Sequence, residues 1–99
     1  MVRGSTPTHI FHYPVSYDMV KTLLLTYKQN GEIILRKGKE DMTEKDGMWS
    51  ITLTQEETNL FSKGTAYTMI RGLLTTGKVA TLEESSFKVY DVHDDEVLT

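Results

Sequence analysis

Trp49-Ser50-Ile51-Thr52-Leu53-Thr54-Gln55-Glu56-Glu57-Thr58 is the stretch whose reading decides the fold. Trp49, Ile51 and Leu53 alternate with Ser50 and Thr52, which is the period-two pattern of a strand with one buried face. The alternation stops at Thr54. Thr54 and Glu57 stand three apart as a capping box, in which the threonine hydroxyl and the glutamate carboxylate each take up a free backbone amide. The strand therefore runs into a short helical turn held by Thr54 and Glu57. Trp49 is the only tryptophan and offers the largest single piece of apolar surface for a core. A central strand that sets its neighbours' register is the expected result.

The flanking segments read as strands and tight turns. Residues 21–28 place Leu23, Leu25 and Tyr27 on one face and Leu24 and Thr26 on the other. Asn30-Gly31 follows, two residues that tolerate positive φ and close a hairpin, and residues 32–36 return. Thr8 to Tyr13 alternates, with Ile10 opposed to Phe11 and Tyr13, until Pro14 ends the ladder. Residues 16–20 form a turn, 37–41 a charged connection and 42–45 a short edge strand before the turn at Asp46-Gly47. Leu60 and Phe61 are read as apolar plugs under a loop. In 66–74, Tyr67, Met69 and Leu73 alternate against Thr68, Ile70 and Gly72. Residues 75–78 turn the chain, 79–82 begin the return, and 86–92 carry a last strand with Phe87 and Val89 opposed to Lys88 and Tyr90.

About seven short strands with turn signals between them predict an all-β fold, an antiparallel immunoglobulin-like β-sandwich with one or two short helical turns. Residues 1–99 form one domain, with 1–7 and 93–99 as flexible ends. Phe11, Leu23, Leu25, Trp49, Ile51, Leu53 and Phe87 are the expected core. The cysteine pair of true immunoglobulin domains is missing, since the chain has no cysteine. That also excludes disulfides, thiolate catalysis and cysteine-based zinc sites.

Composition narrows the partners. A net charge of −3 with 25% charged residues argues against a nucleic-acid-binding role, which usually needs a concentrated basic face, and disfavours docking to an anionic membrane. The longest aliphatic runs, Leu23-Leu24-Leu25 and Ile33-Ile34-Leu35, are too short to span a bilayer. The opening residues lack the apolar stretch of a signal peptide, so a soluble product made in the cytoplasm is expected.

No reactive constellation emerges. His9 and His12 are three apart on a strand and point to opposite faces, so they cannot chelate one ion there. The acidic end beside His93 reads as a solvated surface. Serines, threonines and histidines occur without a nucleophile elbow. Glu56-Glu57 is explained by the cap rather than by glycosidase chemistry, and the glycines lack phosphate-loop spacing. The reading is non-enzymatic, with no catalytic residue, cofactor or metal. The candidate contact residues are Leu24, Ile34 and Ile70, read as facing away from the core, and the acidic Asp94, Asp95 and Glu96. Tyr17, Tyr67 and Tyr90 are further candidates for exposure, where tyrosine favours protein contacts.

Arg3-Gly4-Ser5-Thr6-Pro7-Thr8-His9, Leu53-Thr54-Gln55-Glu56-Glu57-Thr58, Leu74-Thr75-Thr76-Gly77-Lys78 and Asp94-Asp95-Glu96-Val97-Leu98 together resemble a group of small phage and prophage proteins of gut-type Gram-positive bacteria. More remotely, the layout is similar to the N-terminal sandwich of phage baseplate upper proteins. The sequence departs from that pattern at Gly72, where a β-branched residue is expected, and at His12 and Tyr13, where Thr and Leu are commoner. The resemblance implies a structural or accessory virion protein of a tail or baseplate, acting on protein subunits of the particle or on itself. The alternative is a carbohydrate- or ligand-binding module of an adhesion type. Such a module would expose Trp49, which the alternation instead expects to be buried.

Overall fold

The computed structural model describes residues 1–99 as seven strands: β1 (Thr8–His12), β2 (Val20–Gln29), β3 (Glu32–Gly38), β4 (Thr43–Lys45), β5 (Met48–Thr52), β6 (Gly64–Leu74) and β7 (Val79–Val89). One four-residue helix, α1 (Gln55–Thr58), follows β5, and 3-10 turns occupy Tyr17–Met19 and Lys39–Asp41. The strands form two antiparallel sheets, one in the order β1-β5-β4 and the other β3-β2-β6-β7. Val2 adds a parallel bridge to Tyr90 at the end of β7. This is the B-E-D against C′-C-F-G order of a variable-type immunoglobulin sandwich. The immunoglobulin-like reading therefore stands on strand order, without the cysteine pair.

β5 is central to its sheet. Phe11 pairs with Trp49 and His9 with Ile51 on one side, while Thr43 pairs with Ser50 on the other. Trp49 and Leu53 are fully buried, and Ile51 nearly so. The Trp49 indole N–H donates to the carbonyls of Tyr13 (3.1 Å) and Val15 (2.9 Å). This pins the reversal at Pro14, where the chain leaves one sheet for the other. The opposite sheet supplies Leu23, Leu25, Tyr27, Ala66, Ile70 and Val89 to the same core, and Phe61 closes it below α1. Phe87 is half-buried against this cluster. Leu60, expected as a second plug, is 57% exposed, because a single helical turn can aim only one of two adjacent side chains inward.

The turn chemistry follows the sequence. Asn30 and Gly31 have φ of 53° and 78°, and Asp46 and Gly47 have 53° and 79°, the positive pairs that two-residue hairpins require. At α1, Glu57 N donates to Thr54 Oγ1 (3.2 Å) and Thr54 N donates to Glu57 Oε1 (2.9 Å), closing the capping box. Beyond α1, buried Gln29 donates to Ser62 O and accepts from Ser62 N, so the loop into β6 is tied to the end of β2. The segments read as a broken last strand are one strand, because β7 runs unbroken along β6 and absorbs Glu83 and Glu84 in a register shift.

Gly72 has a physical reason. The Tyr13 ring lies over it on the way to donating from its hydroxyl to Ala80 O (2.8 Å), and a Cβ at Gly72 would sit 2.5 Å from that hydroxyl. Tyr13 and Gly72 are thus complementary halves of one contact. Gly72→Ala should cost about 1–3 kcal/mol in denaturant melts, and in a Tyr13→Leu background most of that cost should vanish, a coupling readable from a double-mutant cycle. Trp49→Ala should cost about 3–5 kcal/mol, and Thr54→Ala only about 1 kcal/mol. Thermal melts ranking these two otherwise would overturn the central role of β5.

Candidate assembly surface

Pairing across β2 and β6 decides which side chains leave the core. Leu25 is opposite Ile70, Tyr27 opposite Thr68 and Leu23 opposite Gly72, and directly paired residues share a face. Ile70 is therefore fully buried and is not part of an outer surface, contrary to the sequence reading. The more apolar-looking set, Tyr67 and Met69, is the exposed one. Ile34 is also displaced. The ladder shifts between Tyr27 and Lys28, so β3 carries an extra residue, and Ile34 packs half-buried against the core while Ile33 is exposed. Leu24 does stand outside, 37% exposed. The small residues Ala66 and Gly72, in step with Thr68 and Ile70, were the available signal that this set faces a crowded interior.

The outer face of the β3-β2-β6-β7 sheet thus presents Leu24, Ile33, Tyr67, Met69 and Val79 as exposed apolar groups. Cations stand among them: Lys28 opposite Tyr67, Arg71 opposite Leu24, Arg36 opposite Thr26, and Lys88 opposite Thr65. A shallow hollow of about 210 Å³ lies at its centre beside Tyr67, Met69, Arg71 and Glu84. Tyrosine, methionine and arginine around a central hollow are the residue types enriched at protein interfaces.

The other predicted contact residues lie elsewhere. Arg3 donates to an Asp91 carboxylate oxygen (2.8 Å) and to Asn59 O (3.2 Å), and Asp95 lies 3.5 Å from the same guanidinium. Asn59 donates to Asp95 O, and the Gln55 side chain exchanges two bonds with Leu98. Residues 95–98 therefore lie back along α1, leaving Asp94 and Glu96 outward. Tyr17, Tyr67 and Tyr90 are all exposed. Tyr17 stacks on Trp49 with Lys39 over its ring, so only one of its faces contributes to the core. Trp49 itself is 0% exposed and offers no platform to a sugar.

The perturbed titratable groups each make a contact within the fold. His9 Nδ1 and Tyr27 Oη are 2.7 Å apart, and the His9 ring lies 4.9 Å from Phe87. Burial, aided by the amino terminus, holds His9 below its ordinary range, while burial and the charge of Glu57 push the Tyr27 hydroxyl up. The tyrosine thus donates to a neutral imidazole. Burial alone would raise the Glu57 carboxyl, but Lys37 and Thr54 together outweigh it and hold it low. Glu44 is lowered by the Gly47 and Tyr17 amides, and Asp91 chiefly by Arg3. His9 is half-buried and His12 exposed on β1, and no group of three His, Asp or Glu side chains forms. Each depressed group stabilises the fold above its unfolded pKa and loses that contribution as pH falls. Melting temperature should first fall below pH 6.5, the ordinary value for His9, and again below the ordinary carboxylate value of 4.5. His9→Gln should remove the first step and keep the second.

No protein-family model matches the chain, and no curated protein matches it. Among solved structures, the V domain of amphioxus IgVJ-C2 aligns over 91% of this chain and 95% of its own, at 14% identity and a TM-score of 0.41.

Proposed function

We propose that the chain is a non-enzymatic structural or accessory protein of a phage or prophage particle, in its tail or baseplate, working by protein–protein assembly. The observation that carries the assembly part is the outer face of the four-stranded sheet. β6 and β7 are 11 residues long. At ~3.3 Å per residue and ~4.8 Å between strands, the face measures roughly 36 by 19 Å. That footprint of roughly 700 Å² approaches the ~800 Å² each partner contributes to a standard interface. The exposed Tyr67, Met69 and Leu24 supply its apolar centre, and Lys28, Arg36, Arg71 and Lys88 favour a partner with an acidic rim. The virion assignment is supported by the resemblance of the opening, central and closing motifs to phage proteins.

The competing reading is a ligand-binding module that uses the hollow beside Tyr67. At about 210 Å³ that hollow is smaller than the ~300–1,000 Å³ of ordinary small-molecule sites, which favours assembly. Mass spectrometry of particles purified after prophage induction should find the chain at the stoichiometry of a tail or baseplate ring. Tyr67→Glu and Met69→Glu, both at exposed positions, should keep wild-type melting and be lost from particles. A wild-type chain that is expressed but absent from particles would overturn the virion assignment, and glycan binding blocked by Tyr67→Glu would favour the module.

A further inference from the structure

Four strands lie at sheet edges: β1, β4, β3 and β7. Exposed edges carry unpaired backbone groups, and proteins protect them with charges, bulges, brevity or cover. β4 is three residues long and contains Glu44 and Lys45. β3 carries Glu32, Arg36, Lys37 and a register shift. β7 carries Glu83, Glu84, Lys88 and a register shift, and Met1 and Arg3 cover its end. β1 is Thr-His-Ile-Phe-His, with no acidic or basic Asp, Glu, Lys or Arg and no register shift against β5. It is the one edge left unguarded.

Its free hydrogen-bonding groups can be named. Leu53 N donates to Pro7 O and Tyr13 N donates to Gly47 O, so odd-numbered residues face β5. In an antiparallel ladder the alternate residues then face away. The N–H and C=O groups of Thr8, Ile10 and His12 therefore point out of the sheet edge. All five β1 residues border a groove of about 460 Å³, whose far side is formed by Thr68, Leu82 and Ser85 to Phe87. His9 reaches both Tyr27 on β2 and Phe87 on β7. β2 and β7 flank β6, so β1 lies over β6, and β7 projects beyond it as a ledge. The groove is the place of one more strand beside β1 and above β7.

We propose that this groove accepts an extended, uncharged segment of a partner subunit by strand addition. The segment would pair with Thr8, Ile10 and His12 and set alternate apolar side chains on Leu82 and Phe87. A second copy's β1 does not fit. Antiparallel β1–β1 pairing about a two-fold axis would bring the partner's β6, which underlies its own β1, into the space held by the β7 ledge. A lone strand brings no second sheet. The proposal deepens the assembly reading by naming the kind of contact, and it rests on that reading only for where the segment comes from.

The test supplies a strand of known sequence. Thr-Val-Thr-Val-Thr-Val, fused ahead of Met1 of the full chain through a flexible Gly/Ser linker, presents an alternating β-branched strand at an effective concentration near millimolar. Amide exchange is then followed by NMR at Thr8, Ile10 and His12. Exchange at these amides should slow about tenfold or more relative to the unfused chain. A Thr-Pro-Thr-Pro-Thr-Pro fusion, which cannot donate to a ladder, should leave it unchanged. Ile10→Pro removes an amide that points away from β5, so it should preserve folding and abolish the protection of Thr8 and His12. Should that variant fail to fold, the proline fusion alone carries the comparison. Unchanged exchange in the Thr-Val fusion would overturn the proposal. So would amides already protected in the unfused chain and released on dilution, because a second copy would then fill the edge. Strand capture in a chain absent from particles would fail the virion assignment alone.

Discussion

The buried Trp49 indole is the contact on which the rest of the sandwich depends. Its ring fills the core between the sheets, and its N–H satisfies two carbonyls at the chain reversal after β1. A buried indole donor without a partner would cost a substantial part of the marginal stability of a chain this small. Here the partners are the carbonyls of Tyr13 and Val15, so one side chain fixes both how β5 packs and where the chain crosses toward β2. Tyr13 and Tyr17 then pack on its edge and face. The aromatic seam continues at a distance through His9, Tyr27, Phe61 and Phe87. Hydrogen bonds within that seam let polar aromatics occupy positions that aliphatic side chains fill in simpler cores.

The fold was legible where local rules act alone. The Trp49 alternation, the Thr54–Glu57 box, and the Asn30-Gly31 and Asp46-Gly47 turns each depend on neighbours a few residues away, and each appears in the structure as read. The candidate surface was less legible because it depends on pairing between distant strands. Ile70 is more apolar than Arg71 and less conspicuous than Tyr67 and Met69, so hydrophobicity within 66–74 does not identify the buried set. That choice is made by Leu25 and Tyr27 across the ladder. Ile34 was misplaced for a related reason: an extra residue in β3 reverses the alternation halfway along, and nothing in Ile33-Ile34-Leu35 marks which of three aliphatics will face out.

The contact between Tyr13 and Gly72 illustrates the same limit. Tyr13 and Gly72 each look anomalous by themselves, and 59 positions separate them in sequence. Only the structure shows a ring lying over a backbone with no side chain, its hydroxyl reaching the next strand. The outer sheet face and the β1 edge differ in a parallel way. The face is recognised by its side chains, whereas the edge is recognised by backbone groups that every sequence carries and by the absence of charges around them.

The order in which the strands enter the two sheets has a kinetic consequence. β2–β3, β4–β5 and β6–β7 are neighbours in sequence and pair as hairpins, contacts that close over short loops and form quickly. β1 must wait for β5, and β2 for β6, with hairpins of the opposite sheet lying between them along the chain. Each sheet contains one such long-range ladder, and pairings of this kind close more slowly than hairpins. β1, which joins its sheet only through β5, has no local partner of its own and remains the strand most open to encounter until the sandwich closes.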